Sequence, residues 1–267
     1  MALGQHVRAS AFDMVFCLNE KFWPAMWTWM SKAPIRVGFD PGWSQPPKTI
    51  LRRLTLTHRL HNPNDPSRKS IHEVERCASL AALAGCLDAA GPLRLLLPAA
   101  AVAWADAAAG APGLPVGSVP VCLQLSAKWS GDGWDSQTCV AVARSILDKF
   151  ADVFLIITAG PGEEGFFENA AAVLPTDRYR LFTGLGIGQW AALMAKCRGL
   201  VSMDTGAVHL ASAVNVPVVA VFPEMNFEHA SSRWPPWQVA HRIIRRPAPA
   251  ASDHFFAELC SALEALL

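Results

Sequence analysis

No stretch of this sequence is apolar for long enough to cross a bilayer. The longest such run, Leu95–Ala105, is broken by Pro98 and falls well short of the roughly 20 residues a spanning helix needs. The opening segment MALGQHVRASAFD has no apolar h-region, so a secretory leader is not expected there. Seven cysteines (17, 77, 86, 122, 139, 197, 260) include no C-x-x-C pair and no metal-ligand spacing. Each lies within an apolar helix or strand pattern, which implies buried free thiols in a reducing compartment rather than a disulfide scaffold. No D-x-D occurs. An excess of charge is missing too: 23 basic and 22 acidic side chains give a net charge of +1. No global field therefore argues for a nucleic-acid partner. What remains is a soluble, cytoplasmic protein without a resident metal.

The chain has 267 residues, of which 52% are hydrophobic, enough for one large core or two modest ones. Its most informative stretch is Gly199–Glu224, GLVSMDTGAVHLASAVNVPVVAVFPE. An apolar run, Leu200–Met203, stops at Asp204-Thr205-Gly206. A helical stretch, Ala207–Val214, follows, and then a second β-rich run, Val218–Phe222. This is one βαβ unit. The carboxyl end of its first strand and the amino end of its helix share a crevice whose free N–H groups favour an anion. Gly206 would let a ligand approach the backbone. Thr205 can cap the helix or bind a phosphate oxygen, and Asp204 can accept from sugar hydroxyls. His209, three residues past Gly206, can face the same crevice.

The segment resembles the signature of glycosyltransferase family 9, the ADP-heptose:lipopolysaccharide heptosyltransferases. Asp204, Thr205, Gly206, His209, Leu210, Pro217 and Phe222 stand where that pattern asks. Shorter pieces fall in the family's order: Phe12–Phe16, Arg36–Phe39, the H-x-V-E-R at His72–Arg76, Ile157–Glu163, and Arg233–Trp237. The resemblance implies an α/β protein of GT-B type, with two Rossmann-like doubly wound domains, the N-terminal one incomplete. The family opens with a strand, a Gly-Asp loop holding the usual general-base Asp, and a helix. Met1–Ser10 does not resemble this. Asp13 belongs to a later strand, so no catalytic residue is assigned. Phe12–Leu18 is expected to form an unpaired sheet edge.

Strand and helix alternate clearly in the C-terminal part. Strands are expected at Val121–Leu125, Val153–Thr158 and Tyr179–Phe182, with helices from Asp135, at Phe166–Val173 and at Gln189–Cys197. Earlier in the chain, Phe12–Leu18, Arg36–Phe39 and Leu93–Leu97 read as strands. Lys21–Met30, Ile71–Leu87 and Ala99–Ala109 read as helices, with some helix around Ile50–Thr57. Pro112–Pro115 reads as a linker. The expected domains are 1–115 on the acceptor side, 116–245 for the nucleotide-sugar, and a tail, 246–267. The tail's amphipathic helix would pack back toward the first domain.

The resemblance implies an inverting, metal-independent transfer of heptose from a nucleotide-diphospho sugar such as ADP-heptose to a phosphorylated glycolipid of the lipopolysaccharide core. The alternative is a catalytically impaired remnant that still binds nucleotide-sugar. No cofactor is implied, and at most peripheral contact with the cytoplasmic face of the inner membrane. Donor contacts are expected from Ser126, Lys128, Glu163, Asp204, Thr205, Gly206 and His209. Gly133 and Asp132 stand where the family's loop carries a cation, and Lys128 can replace it. Trp234 and Trp237 flank a stiff Pro pair and are candidate pocket covers. A basic run from Lys48 to Lys69 contains Arg52, Arg53 and Arg59, candidate contacts to an acidic acceptor, although such runs are most often solvated loop faces. A dinucleotide dehydrogenase would need G-x-G-x-x-G at the first βα turn, and Gly184–Gly188 has neither that spacing nor that place.

Overall fold

The computed structural model describes residues 2–43, 45–61, 71–86, 90–110, 115, 117–131, 133–160, 162–163, 173–248 and 252–267. The chain divides into two compact units, Met1–Gly91 and Pro92–Leu267. The boundary falls earlier than the expected one at 115/116. The reason is the helix Ala99–Gly110 (α5), which packs on the helix Ile187–Met194 (α7) and so belongs to the second unit. Ala101, Ala105 and Ala192 are buried at that contact, where small side chains let the two helices approach closely. The expected linker residues 112–114 lie outside the described residues, as do most of the expected helix at 166–173 and the basic residues Arg68 and Lys69.

The first unit holds a parallel three-stranded sheet in the order β1-β2-β3: Met14–Cys17, Ile35–Asp40 and His58–His61. As expected, β1 is an edge. Sequence reading missed β3, which is short and polar (HRLH) and lacks an apolar period. Among the described residues, four helices accompany the sheet: Ala2–Ala9 (α1), Phe22–Met30 (α2), Pro46–Thr55 (α3) and Glu73–Leu83 (α4). His72 caps α4 by accepting from the Val74 N–H at 3.0 Å. Arg76, buried on the same helix, donates to Glu73 and Glu20 at 2.8 Å each and lies over the Phe39 ring. The H-x-V-E-R piece therefore supplies a helix cap and a satisfied buried cation.

The second unit is built on a parallel six-stranded sheet in the order β6-β5-β4-β7-β8-β9. Its strands are Val119–Leu125 (β4), Val153–Ala159 (β5), Tyr179–Phe182 (β6), Gly199–Met203 (β7), Val218–Pro223 (β8) and His241–Arg246 (β9). Counted within the unit, this is the 3-2-1-4-5-6 order of doubly wound dinucleotide-binding folds. Among the described residues the helices are α5, Ser136–Lys149 (α6), α7, Gly206–Ala213 (α8), Phe227–Arg233 (α9) and Asp253–Glu264 (α10). Strands β4, β5, β7 and β8 are almost wholly buried, as a parallel sheet covered on both faces requires. One cluster, with α6 and α10, contains Leu123, Ile146, Leu155, Val201 and Phe255. The other contains Ile156, Ala191, Leu200, Val208 and Phe222. The tail helix α10 thus completes the second unit's own core, capped by Ser252 accepting from the Phe255 N–H. Leu93–Leu97 forms no strand: Leu95 donates one backbone bond to Ala213, and Leu96 is 93% exposed. Five cysteines are buried as expected, but Cys77 is half-buried and Cys86 exposed. Burial pushes the Cys139 thiol up to about 12.

Leu123, fully buried on β4, should show what this core contributes. Leu123→Ala is expected to cost about 2–5 kcal/mol, read as a lower urea midpoint of the second unit by circular dichroism. Leu54→Ser, at a 69% exposed position, should stay within about 0.5 kcal/mol of the parent.

Candidate nucleotide-binding site

In the second unit the strand order reverses between β4 and β7, and the loops leaving those two carboxyl ends diverge around a crevice. The β4 loop runs Ser126-Ala127-Lys128-Trp129 and includes a 3-10 turn. The β7 loop is Asp204-Thr205. A third loop, Gly160–Glu163, leaves β5 alongside. These loops are bonded to one another. The Lys128 ammonium donates to the Asp204 carbonyl. The Glu163 carboxylate accepts from the Ala127 N–H at 2.6 Å and the Gly160 N–H at 2.9 Å. A Cβ at Gly160 would lie 2.7 Å from the Glu163 carboxylate, so a larger residue there would displace that side chain.

Thr205 is the N-cap of α8, its hydroxyl accepting from the Ala207 N–H at 3.2 Å. Beneath it runs a buried polar ladder that sequence reading missed. The Ser202 hydroxyl donates to the Gln124 amide oxygen at 3.0 Å, and the Thr205 hydroxyl reaches the same oxygen at 3.4 Å. Thr158 joins from β5, accepting from the Trp190 indole at 3.2 Å. The signal was present as lone polar residues near the carboxyl ends of otherwise apolar strands. Next to Gln124, the Ser126 hydroxyl is buried with no hydrogen-bond partner among the described residues. A buried hydroxyl without a partner at a crevice wall is costly, and a bound oxyanion would satisfy it. A small cavity of about 80 Å³ is lined by Gln124, Thr158, Ala159, Gly160, Leu185 and Trp190.

The β4 loop is held from behind by aromatic packing. Trp129, fully buried, donates its indole N–H to the Gln124 carbonyl, and Trp134 donates to the Pro247 carbonyl, both at 3.0 Å. Trp134 also packs edge-on against Phe255 of α10. Arg246, buried at the end of β9, donates to the Trp129 carbonyl at 2.9 Å. Gly133 sits in this loop with φ +83°, and Asp132 lies outside the described residues.

Each expected donor residue of the second unit except His209 is thus tied into the loop cluster or lies at its lip. His209 follows Gly206 on α8, close enough for its charge to act on Asp204. A Cβ on Gly206 would meet nothing within 4 Å, so the space over the start of α8 is open. The two candidate covers lie on the segment that follows α9. Trp237 donates its backbone N–H to Ser212, near the far end of α8, roughly 10 Å along the helix from Thr205. Trp234 packs in the core cluster that includes Val208 and Phe222, with its ring edge-on to His229. Trp234 thus takes part in core packing, and the Trp237 backbone anchors its segment to α8. In the first unit, Arg52 is fully buried and donates to the Cys17 sulfur and the Asn19 carbonyl. It braces the fold and offers no free face, whereas Arg53 and Arg59 are exposed and lie 3.9 and 4.0 Å from Asp40. Among the described residues no group of His, Cys, Asp and Glu could hold a metal ion, and no helix is long and apolar enough to cross a membrane.

A doubly wound sheet, a capped helix start at its switch point, a lysine and an orphaned hydroxyl define a Rossmann-like domain suited to a phosphorylated ligand. The sequence profile of glycosyltransferase family 9 (heptosyltransferase) matches residues 1–261, and the chain belongs to that family. It is a glycosyltransferase of GT-B-like fold. A family 9 glycosyltransferase from Veillonella parvula superposes with a TM-score of 0.75 at 16% identity, covering 99% of this chain and 77% of that one. The ADP-heptose lipopolysaccharide heptosyltransferase II of E. coli gives 0.74 at 18% identity, over 99% and 79%. The E. coli heptosyltransferase WaaC with ADP gives 0.66 at 17% identity, over 100% and 78%. No curated protein matches by sequence.

Asp204 provides a pH signature. Burial raises its carboxyl above the usual 3.8, opposed by the nearby Lys128 and His209 charges. A carboxyl whose native value exceeds its unfolded value holds an extra proton in the folded state between the two. Stability should therefore fall as pH rises from about 3.8 through the native value and level off above it. Asp204→Asn should remove that slope, as measured by urea unfolding at a series of pH values. An identical slope in the variant would show that another group carries it.

Proposed function

We propose that this protein transfers a sugar, heptose, from a nucleotide-diphospho sugar such as ADP-heptose to a phosphorylated glycolipid acceptor of the lipopolysaccharide-core type. The observation that carries the reading is the convergence of the Ser126–Lys128 loop, Glu163 and the Asp204–Gly206 turn at one switch point. A pyrophosphate would lie over the start of α8, against the open space above Gly206. It would accept from the free N–H groups there, from Lys128 and from the orphaned Ser126 hydroxyl. As the sugar departs, charge grows on the pyrophosphate. Prepositioned donors stabilise it without reorganisation, which suits an inverting reaction that needs no metal. Asp204 and His209 are placed to face the sugar side. Arg53 and Arg59 remain as candidate contacts for an acidic acceptor. The residue that takes the acceptor proton is not assigned. The alternative, a nucleotide-sugar-binding protein with little turnover, keeps the same donor site. Loss of general-base assistance alone slows such a reaction by about 10²–10⁴-fold.

Gly206→Ala separates a ligand site from a structural turn. The added methyl meets no protein atom, so the variant should unfold like the parent. It should nevertheless bind ADP about tenfold or more weakly, because the methyl occupies the space over the helix start. Lys128→Ala should weaken ADP by a similar factor, as loss of a charge-assisted contact does. Both are read by calorimetry. Unchanged ADP affinity in both variants would remove the donor-site reading. Release of ADP from ADP-heptose in the presence of a heptose-deficient lipopolysaccharide separates the active reading from the impaired one.

A further inference from the structure

The loops that enter β4, β5 and β6 surround a cavity of about 210 Å³ at the amino ends of those strands. Ser118, Ala151, Asp152, Val153 and Arg178 are among the residues that line it. The donor crevice lies at the other end of the sheet. The seven residues of β5, at about 3.3 Å each, separate the two by roughly 20 Å. Arg178, partly buried at the start of β6, has a fixed guanidinium. Its Nε donates to the Val153 carbonyl at 3.1 Å, and its Nη2 donates to the Phe150 carbonyl at 2.6 Å and the Val153 carbonyl at 2.9 Å. These bonds close the carboxyl end of α6, where a cation is favoured. They leave both N–H groups of Nη1 without an acceptor among the described residues. Asp152 follows α6, and its carboxylate makes no hydrogen bond or ion pair among the described residues. The Ser118 hydroxyl, just before β4, is buried without a partner.

We propose that this cavity binds a small zwitterion of the free amino acid class, with its carboxylate on Arg178 and its ammonium toward Asp152. The two charged groups line one cavity yet are not paired with each other. A simple anion would suit Arg178 but face Asp152, and a simple cation would meet the reverse. A neutral molecule would cover both ionic groups without answering either charge, which is costly. A molecule that carries both charges answers both. A guanidinium already held in place loses little freedom when a carboxylate bonds to it, and such charge-assisted bonds are strong. The volume is several times the roughly 30 Å³ share of one water, which suits an amino acid with a short side chain. The inference stands on the amino-end loops of the second unit. It does not need the donor-site reading, which the ADP titrations test separately.

The test is saturation-transfer NMR of the full chain with each of the common free L-amino acids at millimolar concentration. At least one with a short side chain should receive saturation from the parent, and saturating ADP should not displace it. Its analogues lacking the ammonium or the carboxylate should bind about tenfold or more weakly. Arg178→Gln should weaken the amino acid by about tenfold or more. Asp152→Asn should weaken it by about threefold or more and narrow its advantage over the analogue without the ammonium. Asp152 is exposed, and an unchanged thermal transition checks that its variant is folded. That variant keeps the test decisive if Arg178→Gln, which loosens the end of α6, unfolds. Silence of every amino acid with the parent would overturn the proposal. So would displacement by ADP, or parent affinity in Asp152→Asn.

Discussion

The site of this protein depends on one topological constraint, the reversal of strand order between β4 and β7. A parallel sheet buried on both faces sends its connections to one face on one side of that point and to the other face beyond it. The two loops that leave β4 and β7 therefore part, and the crevice between them is the consequence. The Lys128 bond to the Asp204 carbonyl, the Gln124 ladder to Ser202 and Thr205, and the Glu163 bridge to Ala127 hold its walls in register. Two buried tryptophans and Arg246 fix the β4 loop from the side away from the crevice.

Much of this was legible in the residues. The Asp204-Thr205-Gly206 turn and its flanking apolar runs placed β7, α8 and β8, since local capping chemistry and β-branched runs agree there. The β4 and β5 strands and the Asp135 cap of α6 were equally plain; Asp135 accepts from the Thr138 N–H at 2.8 Å. What failed had physical causes. β3 is made of four polar or half-apolar residues whose pairing with β2 decides their conformation. Leu93–Leu97 has a strand's composition, but its one backbone bond goes from Leu95 to Ala213 at the end of α8 and not to a strand. Arg52 was read with its basic neighbours because sequence does not say which side of α3 faces inward. The candidate donor residues stand in one motif and its neighbouring loops, whereas the ladder beneath Thr205 could not be read, because its members are remote in the chain.

Electrostatics divide the two units' tasks. In the second unit the charges near the crevice are few and specific. Lys128 lies at the start of α8, and Asp204 is held partly desolvated so that its carboxyl resists ionisation. Nearby, Glu163 occupies two loop N–H groups. In the first unit Arg52 and Arg76 are both spent on internal order, Arg52 at Cys17 and Asn19 and Arg76 among Glu20, Glu73 and Phe39. Others stay at the surface around α3, where the exposed apolar residues also gather.

The central claim is that the β4–β7 switch point of a family 9 glycosyltransferase binds the diphosphate of its donor here. Hydrogen–deuterium exchange with and without ADP tests this most directly. The account predicts slower exchange at the backbone amides around Ser126–Lys128 and in the first turn of α8 from Gly206 onward, with α3 unaffected. Protection confined to the first unit, or none at either loop while calorimetry shows ADP bound, would contradict it.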